Sequence, residues 1–288
     1  MNSRERVVKT LNFQQPDRVP IDLGGMKASG ITVAAYNALK KHLGMGDKTK
    51  VWDTRFMIAM VEEAIRRRFH VDVVPLDAST ILAAPPEEQW VTRKLFDGDE
   101  VLFLPGTRIQ EEPNGDWRLL HADGSPSSFR MPHGGFYFDD TSFGVADGEF
   151  DPRKFKPITS IPDESLRALE DYGRHLYRNT DYALLGWGYG VCFLGMSLIT
   201  DRSNIVTQGM PKEWMMMLMT EKDTCHEVMG KSIEAYIQCL KPLVSGYKSG
   251  RFNWLENSVC SSWGSTSPKA CKMGTFSKMV MLRICRIL

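Results

Sequence analysis

Apolar positions recur at helical spacing from the first residues onward. Val7, Val8 and Leu11 form one stripe, which predicts a helix from Asn2 to about Asn12 with Arg4, Arg6 and Lys9 facing out. Asn2 and Glu5 stand three apart, as in a capping box at its start. Beyond Pro16, the alternation of Val19, Ile21 and Leu23 predicts a strand entered at Pro20, because a proline cannot donate to a central ladder. Gly24 and Gly25 then give a loop whose backbone can approach a ligand closely. A second helical stripe, Val33, Tyr36, Leu39 and Leu43, stops at Gly44, a left-handed cap. Thr54 is read as the cap of a third helix, with Met57, Met60, Val61, Ala64 and Ile65 on its buried face. Glu62–Arg66 and Glu63–Arg67 support it, and Arg66 to Arg68 form a solvated face. The β-branched run Val71, Val73 and Val74 predicts a strand buried on both sides, ending in Pro75, Leu76 and Asp77.

From Pro85 to about Pro157 the pattern changes to short aromatic and branched runs. They are punctuated by Asp97-Gly98, Asn114-Gly115, Asp123-Gly124 and Gly134-Gly135, which mark tight turns. An inserted antiparallel sheet is expected here, lying over one end of the main domain, with strands near 101–104, 107–112, 116–121 and 135–138. His121 and His133 fall within it, without a third ligand at metal spacing. Ser160, Pro162 and Asp163 open a helix through Leu166, Leu169, Tyr172 and Leu176, and Tyr182 to Leu185 reads as the next strand. That strand breaks into Gly186-Trp187-Gly188-Tyr189-Gly190, read either as a ligand surface or as a glycine-rich turn with two packed aromatics. Five methionines between Met210 and Met219 are assigned to the core. Thr220 and Asp223 cap a further helix that buries Cys225 and Cys239.

The opening stretch RERVVKTLNFQQPDRVPIDLGG resembles the start of the uroporphyrinogen decarboxylase superfamily, which includes corrinoid-dependent methyltransferases. Similarity continues at Phe69 to Asp77 and at Gly209 to Leu240, covering roughly residues 2 to 245. The resemblance implies an α/β fold of the (β/α)8 barrel type. Three strand-and-helix units are legible by Leu243 where closure needs eight, so the barrel is expected to be incomplete over residues 1–245, with the β insertion at about 85–157. Residues 246–288 change character: Glu256 is the one acid against seven basic residues, and three of the six cysteines lie there. This tail is expected to be atypical, from an out-of-frame or otherwise non-native terminus, with a genuine divergent segment as the alternative.

Ligands of parallel barrels bind at the carboxyl ends of the strands. The candidates there are Asp77 as the catalytic residue and Asp22, Lys27, Trp187 and Tyr189 for substrate binding. The resemblance implies that Asp77 stabilises protonated pyrrole nitrogens, as a carboxylate beside a developing cation does. A turn or helix-capping role before Ser79 and Thr80 is the alternative. Departures from the family are clear. Its decarboxylases carry an R-Q-A-G-R loop after strand one, where this chain has Gly24 to Gly30 with Lys27 as the sole cation, and one lysine does not replace two guanidiniums. The tyrosine after strand three has no clean counterpart, since Tyr189 comes early and Ser197 falls near its place. The methyltransferases hold zinc through a His-x-Cys and a later Cys, a motif missing here, so zinc is expected in a full-length relative and no cofactor is evident in this chain.

Charge and composition narrow the function classes. A net charge of +1 gives no footprint for nucleic acid, and no apolar stretch approaches a membrane span. The six cysteines form no C-x-x-C and suit reduced thiols, which points to the cytoplasm. The leading expectation is a corrinoid-dependent methyltransferase-like or tetrapyrrole-acting enzyme when full length. A genuine uroporphyrinogen decarboxylase and a non-catalytic tetrapyrrole- or corrinoid-binding protein or inactive fragment remain alternatives. The expected partner is a tetrapyrrole, a corrinoid or a corrinoid protein, and a homodimer is left open.

Overall fold

The computed structural model describes residues 1–77, 87–141, 160, 162–187, 197–199, 205–208, 212–231, 234–235, 238 and 259–260. Helix α1 (Ser3–Leu11) starts at a full capping box: Asn2 Oδ1 accepts from the Glu5 amide at 2.8 Å, and Glu5 Oε2 accepts from the Asn2 amide at 3.1 Å. Arg4 and Arg6 do not face out as their spacing suggested. Arg4 stacks on the Tyr177 ring at 3.9 Å and donates to the Tyr177 and Thr180 carbonyls, while Arg6 is 7% exposed. Long cationic side chains reach partners that helical periodicity alone does not reveal.

After α1 the chain crosses Val19 to Leu23 without becoming a strand. Its one ladder bond runs from the Asp72 amide to the Ile21 carbonyl at 2.8 Å. Helix α2 (Val33–His42) buries Val33 and Tyr36 completely, and Gly44 follows at φ +69°, the left-handed residue that ends it. The helix expected from Thr54 onward is largely strand and turn. Strand β1 (Thr49–Asp53) and strand β2 (Ile58–Ala59) pair antiparallel, and only α3 (Glu63–Arg68) is helical. Glu63 pairs with both Arg66 and Arg67, whereas Glu62 goes to Lys40 at 2.5 Å. Within the expected solvated face, Arg66 is bent back onto the Val61 carbonyl.

Strand β3 (Val73–Asp77) follows as expected. The next strands are β4 (Val91–Lys94), β5 (Glu100–Phe103), β6 (Ile109–Glu111), β7 (Trp117–Leu120), β8 (Pro126–Met131) and β9 (Asp139–Asp140). The glycines of the expected turns, Gly98, Gly115 and Gly124, take φ between +84° and +90°. The strand expected at 135–138 is instead the connection between β8 and β9. One sheet has the order β2-β1-β5-β4, with β1 parallel to β5, and another has the order β6-β7-β8-β9. One core runs from α2 through both sheets and includes Tyr36, Val51, Ile65, Phe103, Trp117, Met131 and Phe138.

Helix α4 (Asp163–Asn179) leads into β10 (Ala183–Trp187), which lies parallel to β3 over all five residues. Gly186 and Trp187 are therefore strand rather than loop. Strands β11 (Ser197–Ile199) and β12 (Ile205–Gln208) form a separate antiparallel pair. Helix α5 (Lys212–Thr220) precedes helical residues 222–231, entered through Glu221, whose carbonyl accepts the Cys225 amide. The Thr220 hydroxyl bonds back to the Met216 carbonyl, a terminal position in α5. Met217 and Cys225 are buried together, but Met216 and Met219 are 56% and 76% exposed, so the methionine run is not wholly core. Cys239 lies outside the described residues. In the tail, β13 (Val259–Cys260) pairs parallel with β10, a strand that the sequence pattern did not reveal.

The architecture is mixed α/β, and the described residues do not close a barrel. Among them no helix is long and apolar enough to cross a membrane.

Candidate functional site

Strands β3 and β10 give the sheet two ends of different chemistry. Val73, Ala183 and Leu185 face α1, where Val7, Leu11 and Met26 cover them. Val74, Leu76 and Leu184 face α4, against Leu169, Leu176 and Tyr177. Strand alternation then assigns positions 73, 75 and 77, with 183, 185 and 187, to the α1 side.

At the amino end, Asp72 is fully buried and surrounded by donors. Arg6 Nη1 donates to Oδ1 at 2.6 Å, Arg18 Nη1 donates to Oδ2 at 2.7 Å, and Arg18 Nη2 reaches Oδ1 at 3.0 Å. The Ile21 amide adds a bond to Oδ2 at 2.8 Å. Arg6 also holds Asp17, through Nε to Oδ1 at 2.6 Å and Nη2 to Oδ2 at 2.8 Å. Burial alone would raise the Asp72 carboxyl, but Arg18, the Ile21 amide, Ser3 and Arg6 outweigh it and hold it below the usual carboxylate range. Asp17 is likewise depressed, chiefly by its hydrogen bonds to Arg6, and Arg6 is raised in return. Arg6, Asp17 and Arg18 come from R-E-R-V and P-D-R-V-P, so these residues build an ion network around the buried Asp72, with Asp17 and Arg18 at its open edge, rather than a reactive centre. Sequence reading missed it, although a carboxylate leading an apolar strand demands a cationic partner.

At the carboxyl end, Asp77 and Trp187 are register partners on the two parallel strands. The structure thus brings two of the expected site positions together at one level and on one face. It separates the others. Asp22 makes an Asx turn, with Oδ1 accepting the Gly25 amide at 2.8 Å, and a Cβ on Gly25 would lie 2.8 Å from Val73 Cγ1. That turn therefore sits at the Val73 level, about 13 Å along the strand from Asp77. Lys27 pairs with Asp53 at 3.1 Å, where Asp53 also accepts the Phe56 amide. Tyr189, in 188–196, lies outside the described residues, and Ser197 opens β11.

The glycines after Leu23 serve packing. Gly24 is buried at φ +78°, with Val61 Cγ2 2.7 Å from where a Cβ would stand, and Gly25 is closed off by Asp22 and Val73. They do not offer an open backbone to a ligand. His133 and His121 are exposed, the former packed at a tilt against Phe96, 4.8 Å between ring centres. Among the described residues no three His, Cys, Asp or Glu side chains are gathered for a metal. The zinc of the resembled methyltransferases therefore has no ligand set among them. In β13, Cys260 is in register with Gly186, one position short of the 77/187 level.

The chain matches no protein-family model, no curated protein and no solved structure.

Proposed function

We propose that this chain is a uroporphyrinogen decarboxylase-superfamily protein that binds a tetrapyrrole or corrinoid at the carboxyl ends of β3 and β10. It acts as a corrinoid-dependent methyltransferase-like or tetrapyrrole-acting enzyme of the cytoplasm. The observation that carries this reading is the in-register placement of Asp77 and Trp187 at the end where parallel α/β sheets bind their ligands. The division of labour between the sheet's ends supports it, since an ion network around the buried Asp72 at the amino end suits stability and leaves the opposite end for chemistry. Asp77 would provide the carboxylate beside a developing cation, and Trp187 an apolar π-face for a planar ring.

The test is an absorbance titration of the full chain with uroporphyrin and, separately, hydroxocobalamin, repeated with Asp77→Asn and Trp187→Ala. Saturable binding of either probe, weakened about tenfold by both substitutions, is expected. Absence of saturable binding of both probes by a cooperatively folded chain would remove the reading.

A further inference from the structure

Strand β10 has the chemistry of a sheet interior. It carries no charge and no proline, and Ala183, Leu184 and Leu185 are buried, with α1 packed on one face and α4 on the other. A strand apolar on both faces, with no charge or proline to guard its edge, belongs between two neighbours. An open row of N–H and C=O groups there invites pairing. Strand β3 is one neighbour. Among the described residues, β13 is the other.

The backbone decides which groups each neighbour takes. The Ala183 amide donates to the Asp72 carbonyl at 2.8 Å, on the β3 side. Successive amides along a strand point to opposite sides, so those of Leu185 and Trp187 also turn to β3, while those of Leu184 and Gly186 turn to β13. In a parallel ladder a residue bonds to the two neighbours of its register partner. Val259, opposite Leu185, therefore sets its carbonyl against the Gly186 amide and its own amide against the Leu184 carbonyl.

We infer that the outer edge of β10 is a strand-addition site whose occupant is this chain's own tail, pinned at Val259. The inference goes beyond the ligand reading and does not depend on it. Cys260 lies level with Gly186, one residue before Trp187, so the tail braces β10 beside the ligand end proposed above.

Hydrogen exchange of the full chain, resolved to single amides, reads this contact at Gly186, with Leu185 as the internal control because its amide turns to β3. Both amides are expected to exchange about tenfold or more slower than in an unstructured peptide. Val259→Pro removes the amide that β13 contributes, and should speed Gly186 about tenfold while leaving Leu185 within about threefold. Val259→Ala keeps that amide and should leave both rates unchanged. Gly186 exchanging at the peptide rate beside a protected Leu185, or protection of Gly186 that survives Val259→Pro, overturns the inference. So does protection of Gly186 that grows with protein concentration, which would put a second copy on the edge. Should Val259→Pro unsettle the whole sheet, the wild-type rates and their concentration series decide the matter.

Discussion

Arg6 donates to the Asp72 carboxylate over 2.6 Å although 66 positions separate them in the chain. Asp72 is also held by Arg18, and Arg6 by Asp17, so α1, the crossing at Val19 to Leu23 and the entry of β3 are fixed by one network. Removing the shared anion would leave the buried Arg6, still paired with Asp17, beside the partly exposed Arg18 with no carboxylate between them. Asp72→Asn is therefore expected to cost about 3 kcal/mol or more, read by chemical denaturation. A loss below about 1 kcal/mol would mean that the network contributes little. A cycle with Arg6→Met should show coupling of about 1–3 kcal/mol between the two sites.

Acid should act through the same residues. Asp17 and Asp72 both titrate below the unfolded carboxylate value of about 3.9. A depressed folded pKa contributes stability that is present in full above the unfolded value and drains away as pH falls through the folded one. Stability from this source should be level from about pH 5 to 8 and should fall below about pH 4. The acid limb should be shallower in Asp72→Asn; an unchanged slope would place the acid-sensitive groups elsewhere.

Two glycines separate close packing from backbone conformation. A Cβ at Gly25 would meet Asp22 Oδ1 at 2.5 Å and Val73 Cγ1 at 2.8 Å, whereas one at Gly44 would meet nothing within 4 Å. Gly25→Ala is expected to cost about 1–3 kcal/mol by overpacking. Gly44→Ala should cost about 1 kcal/mol through its φ of +69°, and Gly44→Asn less, because asparagine tolerates that region. Gly25→Asn should do no better than Gly25→Ala in thermal unfolding.

Lys27 is expected to be dispensable for ligand binding. Its partner is Asp53, and the pair is partly open to solvent, with side chains 34% and 17% exposed. Lys27→Met should change stability by less than about 1 kcal/mol and leave uroporphyrin affinity within about threefold. A larger loss of affinity would return Lys27 to the site.

Local signals were legible in the sequence and long-range ones were not. The Asn2–Glu5 capping box, the left-handed Gly44 and the hairpin glycines act within a few residues, and each appears where its chemistry demands. The stripe from Met57 to Ile65 misled because Ile58 and Ala59 pair antiparallel with β1, while Met57, Val61 and Ile65 are buried in a core that also takes in Val101 and Phe103 from a later strand. Arg6 carried no local mark of burial, since its partners Asp17 and Asp72 arrive only with the fold. Of the site, Asp77 and Trp187 could be named from their strands, but only the ladder puts them level. Asp22 was misplaced because Val19 to Leu23 alternates like a strand yet leaves β3 after a single ladder bond.

Hydrogen exchange of the full chain, with and without saturating uroporphyrin and, in parallel, hydroxocobalamin, tests the central claim most directly. The expected result is ligand-dependent protection of the amides of 76–77 and 185–187, at the carboxyl ends of β3 and β10. Protection confined to residues 17–21 and 70–72, around the Asp72 network, or no protection with either compound, would contradict it.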